Sequence, residues 1–187
     1  MKHKHLLTGL VLGTLLLTGC TGNVDSVTAN TITIEKDGSI RDISVEDFSD
    51  GSYDMSKLEE FINAEIEEYN SQTGESRIVL DDIQTENSIV KLQLSYTGME
   101  DYNAFNHTEY EYSSLAEAGL TGEFTSAADG STVKAADMND TDLKVLKIED
   151  AMNIVCKGKI LYYNSFVTED NGTFSASGEG TAVIVLK

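Results

Sequence analysis

The sequence has no proline, no tryptophan, two cysteines and three histidines, and its 13 basic side chains face 32 acidic ones along 187 residues. Each shortage removes a class of function. Without proline there is no stiff, extended proline-rich linker for crossing a wall layer. Without tryptophan a common surface for stacking sugar rings is missing. A formal charge of −19 repels nucleic acid, whose affinity comes mostly from cations placed on phosphates, and it repels anionic lipid headgroups in the same way. What the acidity leaves open is a solvated surface, attraction of cations, or a basic partner.

What is present begins at the amino terminus. Lys2-His3-Lys4-His5 precedes an apolar run over 6–17, which ends in Thr18-Gly19-Cys20. A basic head, an apolar stretch of about 7–15 residues and a small-residue exit are the parts of an export signal. The run is shorter than the roughly 20 apolar residues of a spanning helix. Leu17-Thr18-Gly19-Cys20 resembles the lipobox of bacterial lipoproteins. The resemblance implies a signal peptide, 1–19, cut off before Cys20, a diacylglycerol thioether on that cysteine, and acylation of the new amino terminus. Two acyl chains give a lasting anchor where one gives a marginal one. The resemblance therefore also implies a protein on the extracytoplasmic face of the cell membrane, partnered first by the bilayer. Losing Lys2 and Lys4 with the leader deepens the charge from −19 to −21, so lipid rather than surface charge must hold the protein down.

The rest of the chain suits one domain with a single core. We expect a short tether over 20–29 and one folded unit over 30–187. Thr31-Ile32-Thr33-Ile34-Glu35 alternates as a half-buried strand does, and Asp37-Gly38 suits a two-residue hairpin turn. That turn sets Ile32 opposite Ile43 and gathers Ile32, Ile34, Ile43 and Val45 on one buried face. Ser56-Lys57-Leu58-Glu59 fits a capping box. A helix over 55–69 follows, with Leu58, Phe61, Ile62, Ile66 and Tyr69 on its apolar side. Strands over 77–83 and 88–96 form a second hairpin around Glu86-Asn87. The stretch 98–141 is the least regular, with a short helix over 99–105, and long connections of this type are functional or disordered. Strands over 143–148, 152–156, 160–163 and 181–186 close the chain, and Asp170-Asn171-Gly172 reads as a turn. The sum is an α+β fold, mainly antiparallel β-sheet with one principal amphipathic helix packed on it. With its lipobox, early acidic helix, Lys159-Ile160-Leu161-Tyr162-Tyr163 and Thr181-Ala182-Val183-Ile184-Val185, the chain resembles small uncharacterised lipoproteins of Gram-positive anaerobes. That group implies address and architecture, not chemistry.

With the leader gone, His107 is the only histidine and Cys156 the only cysteine not given to lipid. This excludes multi-histidine zinc, closed cysteine sites and a disulfide framework. No Walker loop, dinucleotide fingerprint or Gly-x-Ser-x-Gly elbow occurs, and no cofactor is expected. A thiol mechanism needs Cys156 activated by His107, yet Cys156 follows Ile154-Val155 in a strand, where a cysteine is a small buried hydrophobe. Paired carboxylates about 5–9.5 Å apart would hydrolyse glycosides, which makes an extracytoplasmic carboxylate-dependent hydrolase the alternative reading. Asp137, Asn139, Asp140 and Asp142 form an oxygen-rich run for calcium, without the spacing of an EF-hand. Tyr102, Phe105, His107, Tyr110 and Tyr112, interleaved with acids, form the candidate ligand surface, because tyrosine offers rigid contact area with a polar end. Such a surface favours a cationic or amphipathic partner, such as a basic protein of the envelope. The competing reading is that Tyr102 and Phe105 only pin a loop to the core. The function expected is a non-enzymatic ligand- or protein-binding module of the cell envelope.

Overall fold

The computed structural model describes residues 24–49, 54 and 57–187. The leader, Cys20 and the Ser56 cap lie outside the described residues. A hairpin of β1 (Thr31–Ile34) and β2 (Ile40–Asp47) is followed by α1 (Leu58–Thr73) and by a second hairpin, β3 (Ile78–Glu86) and β4 (Ile89–Tyr96). Next come α2 (Met99–Asn106), β5 (Glu111–Ser114), α3 (Leu115–Ala118), β6 (Glu123–Ser126) and β7 (Thr132–Lys134). The chain ends with β8 (Lys144–Ile148), β9 (Ala151–Cys156), β10 (Ile160–Tyr163), β11 (Val167–Asp170), β12 (Thr173–Ser177) and β13 (Ala182–Leu186).

The fold is α+β and mainly antiparallel. Seven strands run in the order β11-β12-β9-β1-β2-β4-β3, and six in the order β5-β8-β13-β10-β6-β7. The pairing of β1 with β9 is parallel. The inner face of the larger sheet presents Ile32, Ile34, Ile40, Leu94, Tyr96 and Ile154, which pack with Leu146, Ile148, Ala182, Ile184 and Leu186 of the smaller sheet. Over β3 and β4 the same face is covered by α1, through Ile62 and Ile66, and by α2, through Met99 and Tyr102. All five residues of β13 are buried because each side of that strand has its own core. Ile184 meets the larger sheet, while Val183 and Val185 join Phe124, Leu143 and Ala118 behind it.

The first hairpin differs from expectation by one residue. The Gly38 amide donates to the Glu35 carbonyl and the Glu35 amide to the Ser39 carbonyl, with Gly38 at φ 87. This is a three-residue loop ending in a bulge glycine rather than a two-residue turn. One extra loop residue slips the register, and a slip of one turns side chains to the opposite face. Ile32 therefore stands opposite Asp42, and Ile43 opposite Thr31. Ile43 goes to the outer face and Asp42 into the core.

That outer face is not bare. Thr31, Thr33, Ile43 and Gln93 are buried there, although the smaller sheet lies on the other side. A 3-10 turn, Val24–Ser26, supplies cover. Val24 is buried, its carbonyl accepts from Lys91 Nζ at 3.2 Å, and Asn30 Oδ1 accepts from the Val45 amide at 2.8 Å.

Other departures have equally local causes. α1 runs to Thr73 because Asn70 extends its anchorage: its Oδ1 accepts from the amides of Arg77 and Ile78, and its Nδ2 donates to the Ile78 carbonyl. Phe61, placed on the apolar stripe by its spacing, is 62% exposed. The stretch 98–141 is built from α2, β5, α3, β6 and β7, since its scattered apolar residues Leu115, Ala118 and Phe124 pack on the back of the smaller sheet. Among the described residues no helix is long and apolar enough to cross a membrane.

Candidate functional site

α1 is amphipathic in an unbalanced way. It buries Ile62 and Ile66, carries five glutamates, Glu59, Glu60, Glu65, Glu67 and Glu68, and contains no lysine or arginine. Carboxylates toward a helix C-terminus oppose its dipole, and like charges three or four residues apart repel. No base within the helix offsets this. Local conflicts of this type concentrate on surfaces retained for function.

Between α1 and α2 lies a cleft of about 380 Å³. Ile62, Leu92, Leu94 and Phe105 make its apolar floor, Glu65 and Glu68 stand along the α1 wall, and His107 closes the α2 end. No lysine or arginine is among its lining residues. A second depression of about 630 Å³ lies beyond Phe61, at the start of α1. Its lining residues Asp54 and Lys57 flank positions outside the described residues, and it lacks the second helical wall of the α1–α2 cleft.

Polar contacts beneath the cleft fix its walls. The buried Asp101 accepts from Tyr69 Oη at 3.0 Å and from Thr97 Oγ1, and lies 3.7 Å from an Arg77 guanidinium nitrogen. Burial, reinforced by Asp101, pushes the Tyr69 phenol above its ordinary value. The rings of Tyr69 and Phe105 meet edge-on at 6.0 Å. In α2, Asn103 clamps the loop that follows: Oδ1 accepts from the Tyr110 amide and Nδ2 donates to the Tyr110 carbonyl. His107 caps the helix at φ 57.

The aromatic residues singled out in the sequence divide into two groups. Phe105 and His107 line the cleft. Tyr102 and Tyr110 are buried, with their rings stacked 5.6 Å apart, and Tyr112 packs against the same core. Glu65 and Glu68, which complete the site, are not among the residues the sequence points to. The signal for them was the run of acids without a base across residues 59–68.

Asp42 is the most unusual group in the core. It accepts from Ser44 Oγ at 2.7 Å and bonds to Tyr102, yet burial raises its pKa to about 6. Burial likewise pushes the phenols of Tyr96, Tyr102 and Tyr110 far above their usual range, with Asp42 adding to each shift. Tyr110 Oη donates to Asp150. This network joins α2 to the sheet, and Asp42 lines neither depression described above.

The remaining candidates are placed as follows. Burial pushes the Cys156 thiol up to about 12, so it stays protonated at neutral pH. β9 lies three strand positions from β4, about 14 Å at the usual strand spacing, which separates Cys156 from His107 at the cleft. Asp140 Oδ2 accepts from Lys187 Nζ at 2.7 Å, with Asp142 Oδ2 3.7 Å from the same nitrogen. A lysine ammonium thus sits among the oxygens considered for calcium, while Asp137 and Asn139 are exposed. Among the described residues no group of three or more His, Cys, Asp or Glu is placed to hold a metal ion. Glu65 and Glu68 lie on one wall of the cleft rather than facing each other across it, which does not match the opposed pair of a glycosidase.

No family model, curated protein or solved structure matches this chain. The functional reading therefore rests on the site itself.

Proposed function

We propose that the protein is a lipid-anchored, extracytoplasmic, non-enzymatic binding module of the cell envelope, and that its α1–α2 cleft takes a cationic amphipathic segment of a partner protein. In this reading α1 is the principal helix and supplies both recognition elements. The apolar floor buries the partner's hydrophobic side chains, and Glu65 and Glu68 meet its lysines or arginines. The observation that carries the reading is a cleft with carboxylates along one wall and no lysine or arginine among its lining residues. The lipobox residues at 17–20 support the address, and the acidity of the whole chain supports exclusion of nucleic acid.

Calorimetric titration with a short amphipathic helical peptide bearing lysines, set against its glutamate counterpart, tests the function. The lysine peptide should bind, more weakly as salt rises, and the acidic one should not. Glu65→Gln with Glu68→Gln should weaken binding by about 3- to 10-fold, as two partly exposed charge contacts imply. Equal affinity for both peptides would overturn the proposal. The address is tested by the intact mass of native protein against Cys20→Ala, since acyl mass should appear on the former alone.

A further inference from the structure

We propose that the outer face of the seven-stranded sheet lies against the bilayer surface, so that the α1–α2 cleft opens on the opposite side, toward the surroundings. This orientation rests on the lipid anchor at Cys20 proposed above and adds what the anchor alone does not give, the side on which the domain sits.

Reach is the first argument. Val24 is buried, and its carbonyl is held by Lys91 Nζ. Lys91 projects to the outer face, because Val90, Leu94 and Tyr96 on the same strand are buried toward the inner one. Three residues separate Val24 from Cys20, a distance of at most about 14 Å along an extended chain. An acylated cysteine sits at the base of the headgroup layer, which is roughly 5–8 Å deep. The outer face therefore stays within one short side-chain length or two of the headgroups.

Surface chemistry is the second argument. The outer face shows exposed Val79 and Val155 with Ser95, Asn153 and Ser175 between the strands' charges. Arg41 pairs with Glu35 on this face and Lys91 holds the Val24 carbonyl, beside the acids Asp81 and Asp82. On the opposite side, α1 carries five glutamates with no lysine or arginine within the helix. An anionic headgroup layer repels that helix. Tether length and charge thus select the same orientation.

The test uses acylated full-length protein from the native membrane, carrying Cys156→Ser, or Cys156→Ala if the serine lowers stability. It is reconstituted into phospholipid vesicles containing nitroxide-headgroup lipid. A fluorophore is placed in separate variants at Val79→Cys and Val155→Cys on the outer face and at Glu67→Cys on α1. Quenching should be severalfold stronger at Val79 and Val155 than at Glu67. Equal quenching at the three positions, or stronger quenching at Glu67, overturns the orientation while leaving the anchor intact. Absence of acyl mass on the same preparation overturns the anchor and the orientation together.

Discussion

The larger sheet covers its inner face in two different ways. Around β1, β9 and β12 it meets the smaller sheet through aliphatic side chains such as Ile32, Ile34, Ile154, Leu146 and Ile184. Around β3 and β4 it meets two helices through Tyr96, Tyr102 and Phe105, with Asp42 and Asp101 buried nearby. The first half is dry and gains stability from close packing. The second holds polar groups that must be satisfied one by one, and it is the half in which a cleft opens. Close apolar packing and the proposed recognition cleft thus lie on separate parts of one sheet.

The sharpest way to break this division is to damage the dry half and read binding. Ile184→Ala removes a side chain that is 1% exposed and should cost about 2–5 kcal/mol in urea unfolding. Affinity of the folded protein for the lysine peptide should stay the same. Asp42→Asn tests the polar half. Its folded pKa of about 6 lies above the ordinary 3.8, so the neutral acid is the stabilising form. That contribution is full below pH 3.8, fades as pH rises through 6, and leaves the ionised core group as a burden at neutral pH. Asparagine should therefore raise stability by about 3 kcal/mol at most at pH 7.5, with little gain at pH 4, as thermal unfolding across pH would show. Phe61→Ala should be the mildest for stability, within about 0.5 kcal/mol, because the ring is 62% exposed. It should nonetheless weaken the peptide, since Phe61 borders the cleft.

Legibility in the sequence does not follow this division. The run Ala182-Val183-Ile184-Val185-Leu186 is apolar throughout, and it is a strand buried on both sides. The β3–β4 hairpin was visible from alternation, and its turn at Asn87 and Ser88 uses positive φ at both residues. Three things were hidden. The register of β1 against β2 depends on one loop residue, which composition around Asp37-Gly38 does not decide, and so Asp42 was not seen as a core group. β11 and β12 surround an Asn-Gly turn, but strands reading Val167-Thr168-Glu169-Asp170 and Thr173-Phe174-Ser175 are too polar to stand out. Apart from α2, the stretch 98–141 takes its order from contact with strands that come later in the chain, and the Ser114–Glu117 capping box is its main local signal. At the site, Phe105 and His107 were found from aromatic content. Glu65 and Glu68 were not, because a glutamate facing solvent and one facing a partner look alike until the opposite wall is known.

The parallel pairing of β1 with β9 has a consequence for how the molecule is made. Residues 31–34 find their second neighbour only in residues 153–156, so a chain emerging from its amino terminus holds β1 with one side open until most of its length has been delivered. Contacts so distant in sequence form slowly, and an open strand edge invites pairing with other chains. Arrival of β9, more than any step within the first hairpin, is therefore what gives β1 its second neighbour.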